Sequence, residues 1–150
     1  MSRNPEKSIR VVPAASVVLN SLGTPLISSK LSIRQADTIG VQVQITTVGS
    51  MTDLRIRAYV SQLQEPIAFT AGGNVDWSPV GINEVASGIV SPYPWEATFQ
   101  EADWFASDGQ SVFTTLEAQG QWLVLVLYDG AGVGTTSSVA VDVFLRKSGK

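Results

Sequence analysis

Apolar and polar residues alternate in steps of two through much of this chain, the period of a strand with one face buried and the other wet. Val41, Val43 and Ile45 fall on one side of such a segment, and Gln42 and Gln44 on the other. Leu54-Arg55-Ile56-Arg57-Ala58-Tyr59-Val60 repeats the pattern, with Arg55, Arg57 and Tyr59 turned outward, and Lys30-Leu31-Ser32-Ile33-Arg34 is a shorter version. Near the end, Val139, Val141, Val143 and Leu145 point one way while Asp142 and Arg146 point the other. Leu123-Val124-Leu125-Val126-Leu127 breaks the alternation by being apolar on both sides. Such a strand belongs in the middle of a sheet, covered on both faces by a second layer or by a neighbouring subunit.

Turn-forming residues separate these segments: Val48-Gly49-Ser50, Ala71-Gly72-Gly73-Asn74, Ser107-Asp108-Gly109-Gln110 and Asp129-Gly130-Ala131-Gly132. Asp108-Gly109 is the dipeptide of a tight hairpin, whose central positions need positive φ. One helical turn is expected at most, around Gln100-Glu101-Ala102-Asp103. Eight to ten short strands set off by turns predict an all-β, two-sheet sandwich, jelly-roll-like, with an extended N-terminal arm. The expected division is an arm over residues 1–13, broken by Pro5 and Pro13, a sandwich domain over 14–146 and a basic tail over 147–150.

Composition narrows the chemistry. At 150 residues the chain is long enough for one substantial core. Only 15% of residues are charged against 44% hydrophobic, which argues for a folded chain and leaves an outer surface of a kind that partners often cover. A net charge of −3 argues against a nucleic-acid footprint. Histidine and cysteine are both absent, so Ser-His-Asp and Cys-His arrangements, disulfides and ordinary zinc sites are impossible, and no cofactor is expected. No apolar run reaches membrane-span length, and the polar start, Met1-Ser2-Arg3-Asn4-Pro5-Glu6-Lys7, lacks the apolar core of a signal peptide. A protein made in the cytoplasm, without a membrane partner and without enzymatic activity, is the expectation.

The candidate sites carry competing readings. Gly130-Ala131-Gly132-Val133-Gly134 follows a strand, but its glycine spacing and the strand-like segment after it do not fit a phosphate-cradling loop; a hairpin connection is expected. Glu96, Glu101, Asp103 and Asp108 cluster in sequence without calcium-loop spacing, and read as solvated carboxylates rather than a glycosidase pair. Trp122 opens the most apolar strand and reads as core. Trp95 follows the stiff Pro92-Tyr93-Pro94 segment, which suits surface contact, so Tyr93, Trp95 and Trp104 are candidates either for a protein interface or for a sugar platform. Arg55 and Arg57 read as a solvated face or an interstrand ion pair. The arm, with Arg3, Lys7, Ile9, Arg10, Val11 and Val12, is either a disordered terminus or a strand laid on a neighbouring subunit's sheet edge.

The run from Asp37 to Ile45, then Leu54 to Ser61, then Gly73-Asn74-Val75-Asp76-Trp77-Ser78-Pro79-Val80, and the closing Gln121-Trp122-Leu123-Val124-Leu125-Val126-Leu127-Tyr128, resembles small β-sandwich proteins of tailed-phage virions. The likeness spans about two thirds of the chain and is one of pattern. The chain departs from it by placing Gln62 to Gly72 ahead of the Trp77 segment, where the usual link is short. The resemblance implies a capsid decoration (cement) protein, or a related head or tail component. Such a protein sits on the capsid surface of the virion, binds the major capsid protein or other virion subunits, and commonly forms trimers. A carbohydrate-binding β-sandwich module is the alternative.

Overall fold

The computed structural model describes residues 7–16, 25–47, 53–70, 76–80, 85–86, 89–90, 96–100, 110–118, 120–129 and 138–147, which form strands and their links. Among the described residues twelve strands follow in chain order: β1 (Lys7–Ser16), β2 (Leu26–Ile27), β3 (Leu31–Ser32), β4 (Thr38–Thr47), β5 (Asp53–Ser61), β6 (Ser78–Pro79), β7 (Val85–Ala86), β8 (Ile89–Val90), β9 (Glu96–Gln100), β10 (Gln110–Glu117), β11 (Trp122–Asp129) and β12 (Ser138–Arg146). No helix occurs among the described residues, and thus none long and apolar enough to cross a membrane.

The pairing explains the architecture. One sheet has the order β1-β12-β4-β10; the other runs β2-β11-β5-β6, with β3 also on β11 and β9 also on β5. If β2 and β3 count as one broken strand on β11, the chain's first half pairs antiparallel with its second half in reverse order: β1 with β12, β2/β3 with β11, β4 with β10, and β5 with β9. That is a long antiparallel ribbon rolled on itself so that β4·β12 and β5·β11 close the two sheets. The result is the jelly-roll form of sandwich, as the alternation predicts.

Two hairpin expectations, at Asp108-Gly109 and at the Gly130–Gly134 run, lie outside the described residues. The described strands on either side of the first, β9 and β10, belong to different sheets, as do β11 and β12 on either side of the second. Turn-residue content marks the break in a strand but carries no information on which sheet the next strand joins.

Between the sheets lies one core. Ile39, Val41, Val43 and Ile45 of β4 and Val139, Val141 and Val143 of β12 meet Leu54, Ile56 and Ala58 of β5 and Leu123, Leu125 and Leu127 of β11. Burying each of these valine, leucine and isoleucine side chains contributes about 1.5–3 kcal/mol. The broken strand has its own device. Ser28 Oγ accepts a hydrogen bond from the Leu125 amide (2.9 Å) and donates to the Ser29 carbonyl (3.0 Å), so a buried hydroxyl supplies what an interrupted ladder lacks.

Residues 7–13, expected as part of an arm separate from the domain, instead start the edge strand of the chain's own four-stranded sheet, and β1 runs past residue 13 to Ser16. A register shift between Arg10 and Val12 leaves Val11 as an extra residue, which puts adjacent Val11 and Val12 both in the core. The Val11 carbonyl turns to accept from the Ser29 amide (3.2 Å), joining the sheet edges. Arg10 lies across from Asp142, with two charge-assisted hydrogen bonds of 2.9 Å.

Candidate functional site

Both outer faces of the sandwich carry features beyond folding. On the six-stranded sheet, the outward side of β11 presents Val124 and Val126, which would be wet in an ordinary half-buried strand. Here they pack under Trp77, with Ile27, Tyr59, Phe69 and Trp122 around them. The cover that the doubly apolar strand requires is supplied by the chain itself, through Phe69 and Trp77. Phe69 packs on Tyr59 with 4.7 Å between ring centroids and the planes tilted by 41°, and meets Trp77 edge-on at 6.0 Å.

The segment 62–70 is pinned at several points. The Trp77 indole N–H donates to the Ile67 carbonyl (2.8 Å) and the Trp122 indole N–H to the Gln64 carbonyl (3.1 Å). Gln121 Nε2 donates to the Gln62 carbonyl (2.7 Å), the Ile67 amide donates to Asp76 Oδ2 (2.8 Å), and the Leu63 amide donates to Ser61 Oγ (3.2 Å). A loop with so many of its backbone groups satisfied is held in one shape. It nonetheless leaves Leu63 48% exposed and Ile67 55% exposed.

Trp122, expected in the core, sits only half-buried at the margin of this cap, with Lys30 Nζ 4.3 Å and the Arg34 guanidinium 5.5 Å from its ring centroid. It begins the strand on the outward side of the alternation, so its ring joins the cap instead of the inter-sheet core. Arg55 pairs with Asp53 of its own strand at 3.0 Å, and Arg57 lies 5.4 Å from the Tyr128 ring centroid. Residues two apart on a strand share a face, which brings Asp53 within reach of Arg55.

On the outer face of the four-stranded sheet, three adjacent register rows cross the strands beside a fourth of Ala140, Gln44 and Ser111. One runs Arg10, Asp142, Gln42, Phe113; the next Ser8, Phe144, Gly40, Thr115; the third Arg146, Thr38, Glu117. Phe113 and Phe144 stand diagonally across Gly40, their centroids 6.3 Å apart and their planes at 58°. A Cβ on Gly40 would lie 2.8 Å from the Phe113 ring, so the missing side chain is what lets the ring approach the sheet. Phe113 is 55% exposed, and the two rings border a groove of about 290 Å³. The hydrogen bonds from Arg10 hold the Asp142 carboxyl below the usual carboxylate range, and Asp142 in turn raises the Arg10 guanidinium.

Of the residues singled out in the sequence, Ile9, Arg10, Val11 and Val12 come together on β1 with Lys7 at its start; Arg3, Tyr93, Trp95 and Trp104 lie outside the described residues, as do Glu101, Asp103 and Asp108. Leu63, Ile67, Phe113 and Phe144 were not singled out. The signal for the phenylalanines was present, since Phe113 shares its side of the strand with Ser111 and Thr115 and so stands on the wet face. Among the described residues no group of three metal-ligating side chains occurs. Family models yield no match to the chain, and neither do curated proteins.

Proposed function

We infer that this chain is a structural virion protein, of the capsid decoration type, that binds between neighbouring capsomers and stabilises the shell from its outer surface. The observation that carries the reading is the pinned loop over residues 62–70, which holds Leu63 and Ile67 out in water. Large apolar side chains on a backbone already fixed in place lose little further entropy on docking, and this is how anchors of protein interfaces work. The jelly roll adds two packed sheets, a frame that keeps the loop's geometry. The missing imidazole and thiol groups are in keeping with a role in contact rather than bond-making.

The loop is also where the chain departs from the phage proteins it resembles. An insertion that first covers β11 and then displays two aliphatic side chains serves packing and docking together. A contact of about 800 Å² per partner suffices for specific binding, and repetition over a shell turns modest contacts into avidity. A trimer on the shell, with the major capsid protein as neighbour, is the arrangement proposed.

Density-gradient fractionation tests this reading. The chain should sediment with intact particles, in stoichiometric ratio to the major shell subunit, and leave them only under conditions that dissociate protein contacts. Recovery entirely in the soluble fractions, with particles that lack it, contradicts the proposal.

A further inference from the structure

The sheet opposite the pinned loop carries a second feature that shell binding does not use. We propose that the groove beside Phe113 and Phe144 is a binding site for a neutral saccharide.

The case rests on shape, charge and hydrogen-bonding type. A pyranose ring has an apolar C–H side and a rim of hydroxyls, so it needs an aromatic surface next to groups that both donate and accept. Phe113 provides that surface, lowered onto the backbone by the absence of a side chain at Gly40, and Phe144 closes the groove at 58° to it. Gln42 offers an amide with donor and acceptor ends, and Thr38 and Thr115 offer hydroxyls, all lining the same space with Arg146 at its end. The groove, about 290 Å³, lies at the small end of ligand sites and suits one or two sugar rings.

Charge argues for a neutral ligand. Asp142, next to Gln42 in its row, is matched by Arg10 at 2.9 Å. Arg146 and Glu117 flank Thr38 in the third row, so opposite charges offset one another there too. Among the described residues of this face neither sign dominates, unlike sites for phosphate or acidic polymers. The apolar part is two rings wide, amid exposed Ser111, Gln44 and Thr115. The faces of a sandwich point in opposite directions, so a chain seated through residues 62–70 would present this groove outward.

The test is native electrophoresis of the full chain through gels holding hydroxyethylcellulose, xylan, galactomannan or dextran, with alginate as the anionic comparison. The wild type should be slowed at least twofold by one of the neutral polymers and not by alginate. Phe113→Ala should abolish the retardation, Gln42→Ala should weaken it at least threefold, and Leu63→Ser should leave it unchanged. If Phe113→Ala loses its β-sheet circular dichroism, Gln42→Ala alone decides, retention at wild-type strength counting against the site. No retardation on any neutral polymer, retardation by alginate alone, or equal retardation of wild type and both groove variants overturns the proposal. So does conversion of an oligomer to a monomer by Phe113→Ala, which would make this face a contact between copies.

Discussion

At the scale of single residues, two polar groups hold elements that hydrophobic burial alone would leave loose. Ser28 is buried, and its hydroxyl accepts from the Leu125 amide in the centre of the six-stranded sheet. Ser28→Ala leaves that amide without its partner in a site water does not reach, at a cost of about 1–3 kcal/mol. Urea unfolding should show the midpoint falling with an unchanged slope. Asp142 works at the surface. Its carboxyl is held below the usual carboxylate range by hydrogen bonds from Arg10, so the ionised form is favoured in the folded state. The sign follows: the contribution is present above the ordinary carboxylate pKa and fades as pH falls through the lowered value. An exposed pair contributes little to global stability, so the effect belongs to β1. Carboxyl chemical shifts should place Asp142 below an ordinary aspartate, and β1 amide signals should move with the same midpoint; an ordinary midpoint would refute the coupling.

At the scale of elements, residues 62–70 and Trp77 decide what kind of surface the protein has. Phe69 and Trp77 cover Val124 and Val126, and Trp77, only 6% exposed, is the anchor. Trp77→Ala removes a buried ring and the bond to the Ile67 carbonyl together, a loss of about 3–5 kcal/mol. Limited proteolysis should then cut within residues 62–70 at a protease level that leaves the wild type intact; resistance equal to wild type would show that the ring does not hold the loop. The strands themselves were legible in the sequence because period two is a local property, visible in Val41, Val43 and Ile45 without any partner. The need to cover both faces of Leu123–Leu127 was legible too. What covers the outer face was not, since Phe69 and Trp77 reach β11 from some 50 residues away in the chain. Likewise Ile9, Val11 and Val12 look like a detachable arm until the Val11 bulge turns them inward against β12. Sheet choice after each turn depends on the long-range pairing of first half with second, which no local window contains.

At the scale of the whole molecule, the rolled ribbon separates two outward faces by a dry core. One displays aliphatic side chains on a pinned loop; the other holds two phenylalanines above a bare stretch of strand, rimmed by amide and hydroxyl groups. The division of labour we propose puts attachment on the first face and ligand contact on the second. Attachment is the claim on which the functional account stands, and binding of labelled protein to particles stripped of the chain tests it most directly. Wild-type protein should saturate a fixed number of shell sites, and the Leu63→Ser/Ile67→Ser double variant, with an unchanged melting temperature, should bind at least about tenfold more weakly, or ~1.4 kcal/mol. Equal binding by the two proteins, or failure of the wild type to occupy the shell at all, would contradict the account.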